Sequence, residues 1–398
     1  MPPAAGFDCL LLLLADDLSP LFALMSAISV VVTQNTHSRK TKMKKTLAAA
    51  IISSVFASGA SYAANIYQGE DGSEVNLYGR LGYNITDKAT DDGDTEGQFD
   101  ARLGLGGSQR INDQVSVIGW AEYQVGAAEF ENGFSDDNQS LTPRYVWAGI
   151  DAGDAGQITG GRVASGIIWF SDIVDVFHAS DVALGRQISQ IDNSATQTFR
   201  QDGTLQYQNN FSGLDLSVAY IFGDGGSESG LNDDELDYGY NTALRYAIQL
   251  GNEMTLTPVV AYQYNENKGG DESTFWGAGA NFVAGALTIG MEYSENELDY
   301  TGISDKSKDE VFEAIVAYNI NDFWTVRGGY RNLDNTGGDE LELDEYTLEG
   351  QYRLTSRSSI YADYVIRDGK NGTMNGQSVG FSGDADEDFY NVGLRYEF

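Results

Sequence analysis

Residues 388–398, Asp-Phe-Tyr-Asn-Val-Gly-Leu-Arg-Tyr-Glu-Phe, decide the fold. In an extended strand, successive side chains leave opposite faces. Tyr390, Val392, Leu394, Tyr396 and Phe398 therefore share one face, and Phe389, Asn391, Gly393, Arg395 and Glu397 share the other. One face is apolar; the other carries mostly charge, amide or hydrogen. A strand with oil on one side and water on the other, closing on an aromatic residue, suits a β-barrel in lipid, where the arrangement of a soluble protein is reversed.

The alternation recurs. Period-two runs bounded by Gly, Asn, Asp and Ser predict sixteen strands: 75–86, 98–111, 115–127, 142–152, 156–165, 198–209, 214–223, 236–249, 254–265, 274–284, 286–297, 310–320, 323–333, 343–355, 358–368 and 387–398. Leu214, Leu216, Val218, Tyr220 and Phe222 oppose Asp215, Ser217 and Ala219. Tyr346, Leu348, Tyr352 and Leu354 oppose Glu345, Thr347, Glu349, Gln351 and Arg353. A strand of about twelve residues, tilted by about 45°, stands roughly 28 Å tall, close to the hydrocarbon thickness. Strands 142–152 and 156–165 are glycine-rich and mixed; either they face a neighbouring subunit or their register is misplaced. Tight turns such as 112–113, 321–322 and 356–357 alternate with longer polar connections such as 224–235, 299–309 and 371–387. Short turns on one rim and long loops on the other predict periplasmic and extracellular ends.

The amino-terminal part is set apart. Met43-Lys44-Lys45, an apolar stretch over 47–56 and Ser61-Tyr62-Ala63 match a secretory signal peptide cleaved after Ala63. Residues 1–42 are expected to be spurious upstream sequence; the rival is a true amino-terminal membrane helix. The expected mature chain, 64–398, is a single barrel domain carrying 19 basic and 56 acidic residues, a net charge of −37. That excess argues against nucleic acid, whose phosphates need Lys and Arg. The sole cysteine, Cys9, lies in the discarded part, which excludes disulfides and cysteine metal sites from the barrel. Only Pro143 and Pro258 remain after residue 63, as a long paired sheet requires. A mean hydropathy of −0.31 does not count against a membrane barrel, because half of each strand faces water.

One connection breaks the pattern. Residues 166–198 are too long for an ordinary loop and hold Ile167, Ile168, Trp169, Phe170, Ile173, Val174, Val176 and Phe177. This apolar content is expected to pack on the inner barrel wall, turning Asp172, Asp175 and Asp181 to the lumen; the alternative is an extracellular loop docked on another protein. Alternation points Arg80, Arg102 and Arg200 inward, giving a basic wall opposite an acidic loop. Arg162 shares a face with Ile158 and needs a bulge at Gly160-Gly161 to turn in.

These features together resemble the general diffusion porins of the Gram-negative outer membrane. The resemblance rests on Val75-Asn76-Leu77-Tyr78-Gly79-Arg80, Ala101-Arg102-Leu103-Gly104-Leu105, Gly161-Arg162, Phe199-Arg200 and Tyr396-Glu397-Phe398. It implies an all-β, transmembrane sixteen-stranded antiparallel barrel with an inward third loop, assembled as a homotrimer. It also implies passive passage of small hydrophilic solutes, with no cofactor. By position, Arg80, Arg102, Arg162 and Arg200 match the family's basic cluster, and Asp172 and Asp175 its acidic loop residues. The loop departs from the family's Pro-Glu-Phe-Gly-Gly run, reading Asp175-Val176-Phe177-His178 instead. Phe398 resembles the signal read by the barrel-assembly machinery. The acidic excess adds an expectation of mild cation selectivity.

Two rival classes stand beside the channel. A barrel hydrolase needs a histidine base, and His178 is the single histidine after residue 63; no nucleophile elbow or metal-binding helix motif accompanies it. An adhesin or receptor would act through Asp224, Glu228, Asp233, Asp234, Glu235, Asp384, Asp386, Glu387 and Asp388, which could also bridge to lipopolysaccharide through divalent cations.

Overall fold

The computed structural model describes residues 63–88, 95–126, 141–179, 182, 184–185, 199–223, 236–299, 301, 306–337, 340–370, 372–374, 377–379 and 385–398. The chain from Ala63 onward forms a closed antiparallel barrel. A short strand β1 (Ala64–Gln68) leads into β2 (Glu74–Thr86), β3 (Glu96–Arg110), β4 (Ser116–Val125), β5 (Leu141–Asp151) and β6 (Gln157–Ala164). A one-turn helix α1 (Ile168–Ser171) follows. Then come β7 (Arg200–Phe211), β8 (Leu214–Phe222), β9 (Leu236–Tyr246) with its extension β10 (Ile248–Gln249), β11 (Met254–Asn267), β12 (Glu272–Ala284) and β13 (Leu287–Asp299). The last wall strands are β14 (Ser307–Asn319), β15 (Trp324–Thr336), β16 (Glu342–Thr355), β17 (Ser358–Lys370) and β20 (Phe389–Glu397). A small hairpin, β18 (Gly372–Met374) with β19 (Gln377–Val379), lies in the connection before β20.

Counting β9 with β10 as one, and leaving out β1, β18 and β19, sixteen strands make the wall. Each predicted strand is present, with ends shifted by no more than about three residues. Every wall strand pairs antiparallel with its sequence neighbour, and β2 closes on β20 from Arg80↔Glu397 to Thr86↔Asn391. Beyond that point β2 changes partner and pairs with β1, starting at Ala64↔Leu77. Phe398 spans the junction, exchanging two main-chain hydrogen bonds with Gly79 at 2.8 and 2.9 Å. Closure leaves no unpaired edge at that seam, which lipid would not tolerate.

Burial is inverted as the alternation predicts. Val218, Tyr220 and Phe222 of β8 are exposed on the outer face, while Asp215, Ser217 and Ala219 are buried within. The inner wall is held by polar cross-strand contacts. Across the seam, Asn84 Nδ2 donates to Asn391 Oδ1 at 2.6 Å, and Asn391 Nδ2 donates to Asp363 Oδ1 at 2.7 Å. Aromatic side chains gather towards both rims. Phe323, Trp324 and Tyr352 associate at the tight-turn end, and Tyr220, Tyr238, Tyr240 and Tyr264 at the other. That is the pair of belts an interfacial barrel shows.

A strict oil-out, polar-in rule fails at one patch. Val259, Ala261, Phe275 and Ile315 point inward, yet they are buried. They are covered by the third loop, so this part of the lumenal wall is dry.

Candidate functional site

The loop after β6 is the element that shapes the lumen. Its residues Ile167, Phe170, Ile173, Val174 and Phe177 are buried in one cluster with Ala243, Val259, Phe275, Ile315 and Tyr361 of the inner wall. Phe170 meets Phe275 edge-on at 5.8 Å, and the Arg245 guanidinium lies over the Trp169 ring at 4.8 Å. The loop therefore runs along the inside of the barrel, from the β8–β9 wall round to β17. Two glycines make room for it. A Cβ on Gly290 would sit 2.3 Å from the Ile173 carbonyl oxygen, and one on Gly329 would lie 2.8–2.9 Å from Leu184 and Phe177.

Polar latches complete the docking. The His178 main-chain N–H donates to Glu349 Oε2 at 2.7 Å, and its ring nitrogen lies 3.3 Å from Glu349 Oε1. Arg327 pairs with the same carboxylate, and Arg395 donates to the His178 carbonyl. Further along, Gly185 N–H donates to Glu313 Oε1 at 3.1 Å. Glu313 belongs to a row of directly opposed side chains, Glu292–Glu313–Arg331–Glu345–Arg367, running across β13 to β17 beneath the loop. Arg367 Nε reaches Glu345 at 2.9 Å, and Arg331 Nε lies 3.6 Å from Glu313. Buried ion pairs hold geometry better than they add stability, which suits a loop that must stay in one place.

With its apolar side fixed, the loop leaves Asp172 and Asp175 exposed. Asp172 is open to water but ringed by protein. Desolvation pushes its carboxyl up to about 7, Asp175 adds to the shift, and Arg245 opposes it. Exposure to lumenal water makes the desolvation part smaller than full enclosure would. Asp181 lies outside the described residues.

The arginines expected to form a basic wall are not bare. Arg80 and Arg102 face each other across β2 and β3 on the inner surface. Arg80 is 6% exposed, with Asp100 at 3.0 Å and Glu397 at 3.8 Å. Arg102 lies 3.6 Å from Asp100 and donates to Gln124 at 3.2 Å. Arg200 stacks over the inward Tyr145 ring at 5.6 Å. The expected bulge falls at Arg162 itself, between Gly161 and Val163, rather than at Gly160-Gly161. The ladder sets Arg162 opposite Val146, an outward residue, and its guanidinium is tied to Asp202 and to the Arg144 carbonyl. Arg162 therefore joins the strip at its edge instead of pointing across the lumen.

Arg144 belongs to this strip and was missed. Period two assigns it outward, but the register shift between Glu122 and Tyr123 places it against Glu122, with Nε donating at 2.8 Å. Only the mixed, irregular pattern of 142–152 hinted at such a bulge. Asp100, Glu122, Asp202 and Glu397 were missed as well; these four carboxylates pair with four of the strip's five guanidiniums, those of Arg80, Arg102, Arg144 and Arg162. The wall is a nearly neutral network, and the field it sends across the opening is correspondingly weak. His178 packs between Glu349 and Tyr361, its ring 5.5 Å from the tyrosine ring. The acids Asp224, Glu228, Asp233, Asp234, Glu235 and Asp384 lie outside the described residues.

Comparison with known proteins matches residues 46–372 to the family described as Gram-negative porin. The chain is 28% identical to outer membrane porin N of Escherichia coli, covering 89% of this chain and 100% of that one. It is 27% identical to outer membrane porin PhoE of Salmonella typhimurium, over 89% and 99% of the two chains. Among solved structures, a Salmonella typhi OmpF complex with daunomycin aligns with a TM-score of 0.66 at 19% identity, over 84% and 100% of the chains. An anion-selective porin from Comamonas acidovorans aligns at 0.64 and 15%, over 82% and 100%. A trimer form of Vibrio cholerae OmpT aligns at 0.61 and 15%, over 82% and 100%.

Proposed function

The chain belongs to the Gram-negative porin family, outer-membrane diffusion channels, and on that premise we propose that it is a passive, water-filled pore for small hydrophilic solutes with a mild preference for cations. The observation that carries the preference is the contrast in exposure at the constriction. Asp172 and Asp175 are open to the lumen, whereas Arg80, Arg102 and Arg144 are largely covered and paired with carboxylates. A passing ion meets the loop's carboxylates at the lumenal surface and the wall's guanidiniums only under cover. We assign the constriction to these residues together with Arg200, with Arg162 at its edge. No catalytic step or cofactor is needed for this role.

The same reading includes export by the signal peptide over 43–63 and a mature chain starting at Ala64, supported by Ala64 and Phe398 lying close along β2, opposite Leu77 and Gly79. It includes a homotrimer, supported by the small and apolar outer face of β5 and β6 (Val146, Ala148, Ile150, Ile158) and by the trimeric OmpT neighbour. Cross-linking of the purified protein to monomers alone would count against the trimer. Lipopolysaccharide, met through divalent cations, and the barrel-assembly machinery, met through Phe398, complete the expected partners.

Planar-bilayer recording of the folded protein tests the channel itself. Step conductances that scale with bulk salt conductivity are expected; folded protein that inserts and passes no current would leave the receptor reading in its place.

A further inference from the structure

The lumen carries a second concentration of positive charge, beyond the strip of β2 to β7. A cavity of about 160 Å³ opens beside the tight turn joining β16 and β17, and four arginines line it: Arg327, Arg353, Arg357 and Arg395. Ser356 and Ser358 add hydroxyls, and Glu397 is the one carboxylate in the lining. That carboxylate already lies 3.8 Å from Arg80. The turn is held in shape: Arg357 N–H donates to Thr355 Oγ1 at 3.1 Å, and the Arg357 carbonyl accepts from Glu397 N–H at 2.8 Å.

The arginines differ in what they have left to give. Arg327 spends its two terminal nitrogens on Glu349 and Gln351. Arg395 gives one nitrogen to the His178 carbonyl, and Arg353 one to the Asp322 carbonyl at 3.4 Å. Among the described residues, no ion pair involves Arg353, Arg357 or Arg395, whereas Arg80, Arg102, Arg144, Arg162, Arg245, Arg331 and Arg367 each have a carboxylate. In a chain of net charge −35, three guanidiniums converging on one cavity without a carboxylate of their own offer donors to an anion.

We propose that this cavity binds small phosphate-bearing solutes at the tight-turn, periplasmic mouth of the pore. Planar guanidiniums with several N–H donors match phosphate oxygens in pairs, and the turn hydroxyls supply further donors. The ligand comes from the water in the lumen and not from the bilayer. Arg327, Gln351, Arg395 and Glu397 lie on the inward face, while Leu354, Ile360 and Tyr396 carry the outer one. Such a site holds an anionic solute at one end of a channel whose constriction favours cations, raising its local concentration at the mouth.

The test uses the full folded protein in detergent at low ionic strength, with inorganic pyrophosphate as the probe in calorimetric titration. One pyrophosphate per chain is expected. Arg353→Gln with Arg357→Gln should weaken it on the order of tenfold or more, the loss of charge-assisted contacts. Arg110→Gln removes a like charge from an exposed position on the same rim, outside the cavity, and should leave the affinity unchanged. Binding untouched by the double change, an equal loss in Arg110→Gln, or no binding by the unaltered protein overturns the proposal. Displacement of pyrophosphate by phosphatidylglycerol vesicles would hand the cavity to a lipid headgroup and overturn the solute assignment. Conductance in potassium chloride, recorded on the same preparations, reports on the pore separately: current without pyrophosphate binding sinks this inference and leaves the channel reading standing.

Discussion

Replacing Asp172 and Asp175 with asparagine removes the two described carboxylates that the third loop turns to the lumen, and the size of the effect follows from their exposure. A carboxylate about 5–10 Å from an ion in water-like dielectric is worth about 0.4–0.8 kcal/mol. Screening over a Debye length of about 10 Å cuts each contribution to roughly half, so the pair together contributes about 0.4–0.8 kcal/mol. At about 2.3 kcal/mol per 100 mV, this corresponds to a shift of roughly 15–35 mV in the zero-current potential across a salt gradient, towards anions. The pH dependence adds a sharper condition. The Asp172 carboxyl is raised to about 7 by desolvation first and by Asp175 second. A raised carboxyl is charged above its own pKa and neutral below it, so its share of cation preference is present at about pH 8.5 and lost by about pH 5.5. Asp172→Asn alone should therefore differ from the unaltered protein at the higher pH and coincide with it at the lower. The reasoning fails if the unaltered channel keeps one zero-current potential across that range, or if its pH response survives in Asp172→Asn.

Three other changes probe the architecture. Gly290→Ala places a methyl 2.3 Å from the Ile173 carbonyl oxygen, and overpacking of this kind costs about 1–3 kcal/mol; the loop should lift from the wall, seen as altered single-channel conductance with increased open-channel noise. Glu349→Gln takes the charge from a buried carboxylate that serves both Arg327 and His178. Breaking such a pair costs about 3–5 kcal/mol, so the loop should become cleavable by protease in folded protein while the barrel stays intact. Leu348→Arg puts a charge on a side chain that is 63% exposed at the middle of β16. If that surface meets lipid, barrel stability should fall by about 2–4 kcal/mol in a reversible denaturant titration in bilayers; a neutral result would deny the bilayer its place on that face.

The strands were legible because the signal that defines them is local and physical: two solvents, one on each side of a single layer. The same simplicity explains what could not be read. Arg144 sits where the ladder slips by one residue, and a slip moves a side chain to the other face without changing composition. Val259, Phe275 and Ile315 look misplaced in any one strand, and become intelligible only with Phe170 and Ile173 laid over them. The loop's apolar run did announce that it needed a dry surface. It carried no sign of where that surface lay, because the wall's contribution is scattered over strands β9 to β17. Charge pairing is the least legible of all. Arg80 and Asp100 are twenty residues apart and Arg80 and Glu397 more than three hundred, so a basic wall was inferred where the fold builds a network. Pore selectivity therefore cannot be taken from net charge. It belongs to the ionised groups the fold leaves exposed, which here include Asp172 and Asp175 of the loop and Arg353 and Arg357 of the β16–β17 turn.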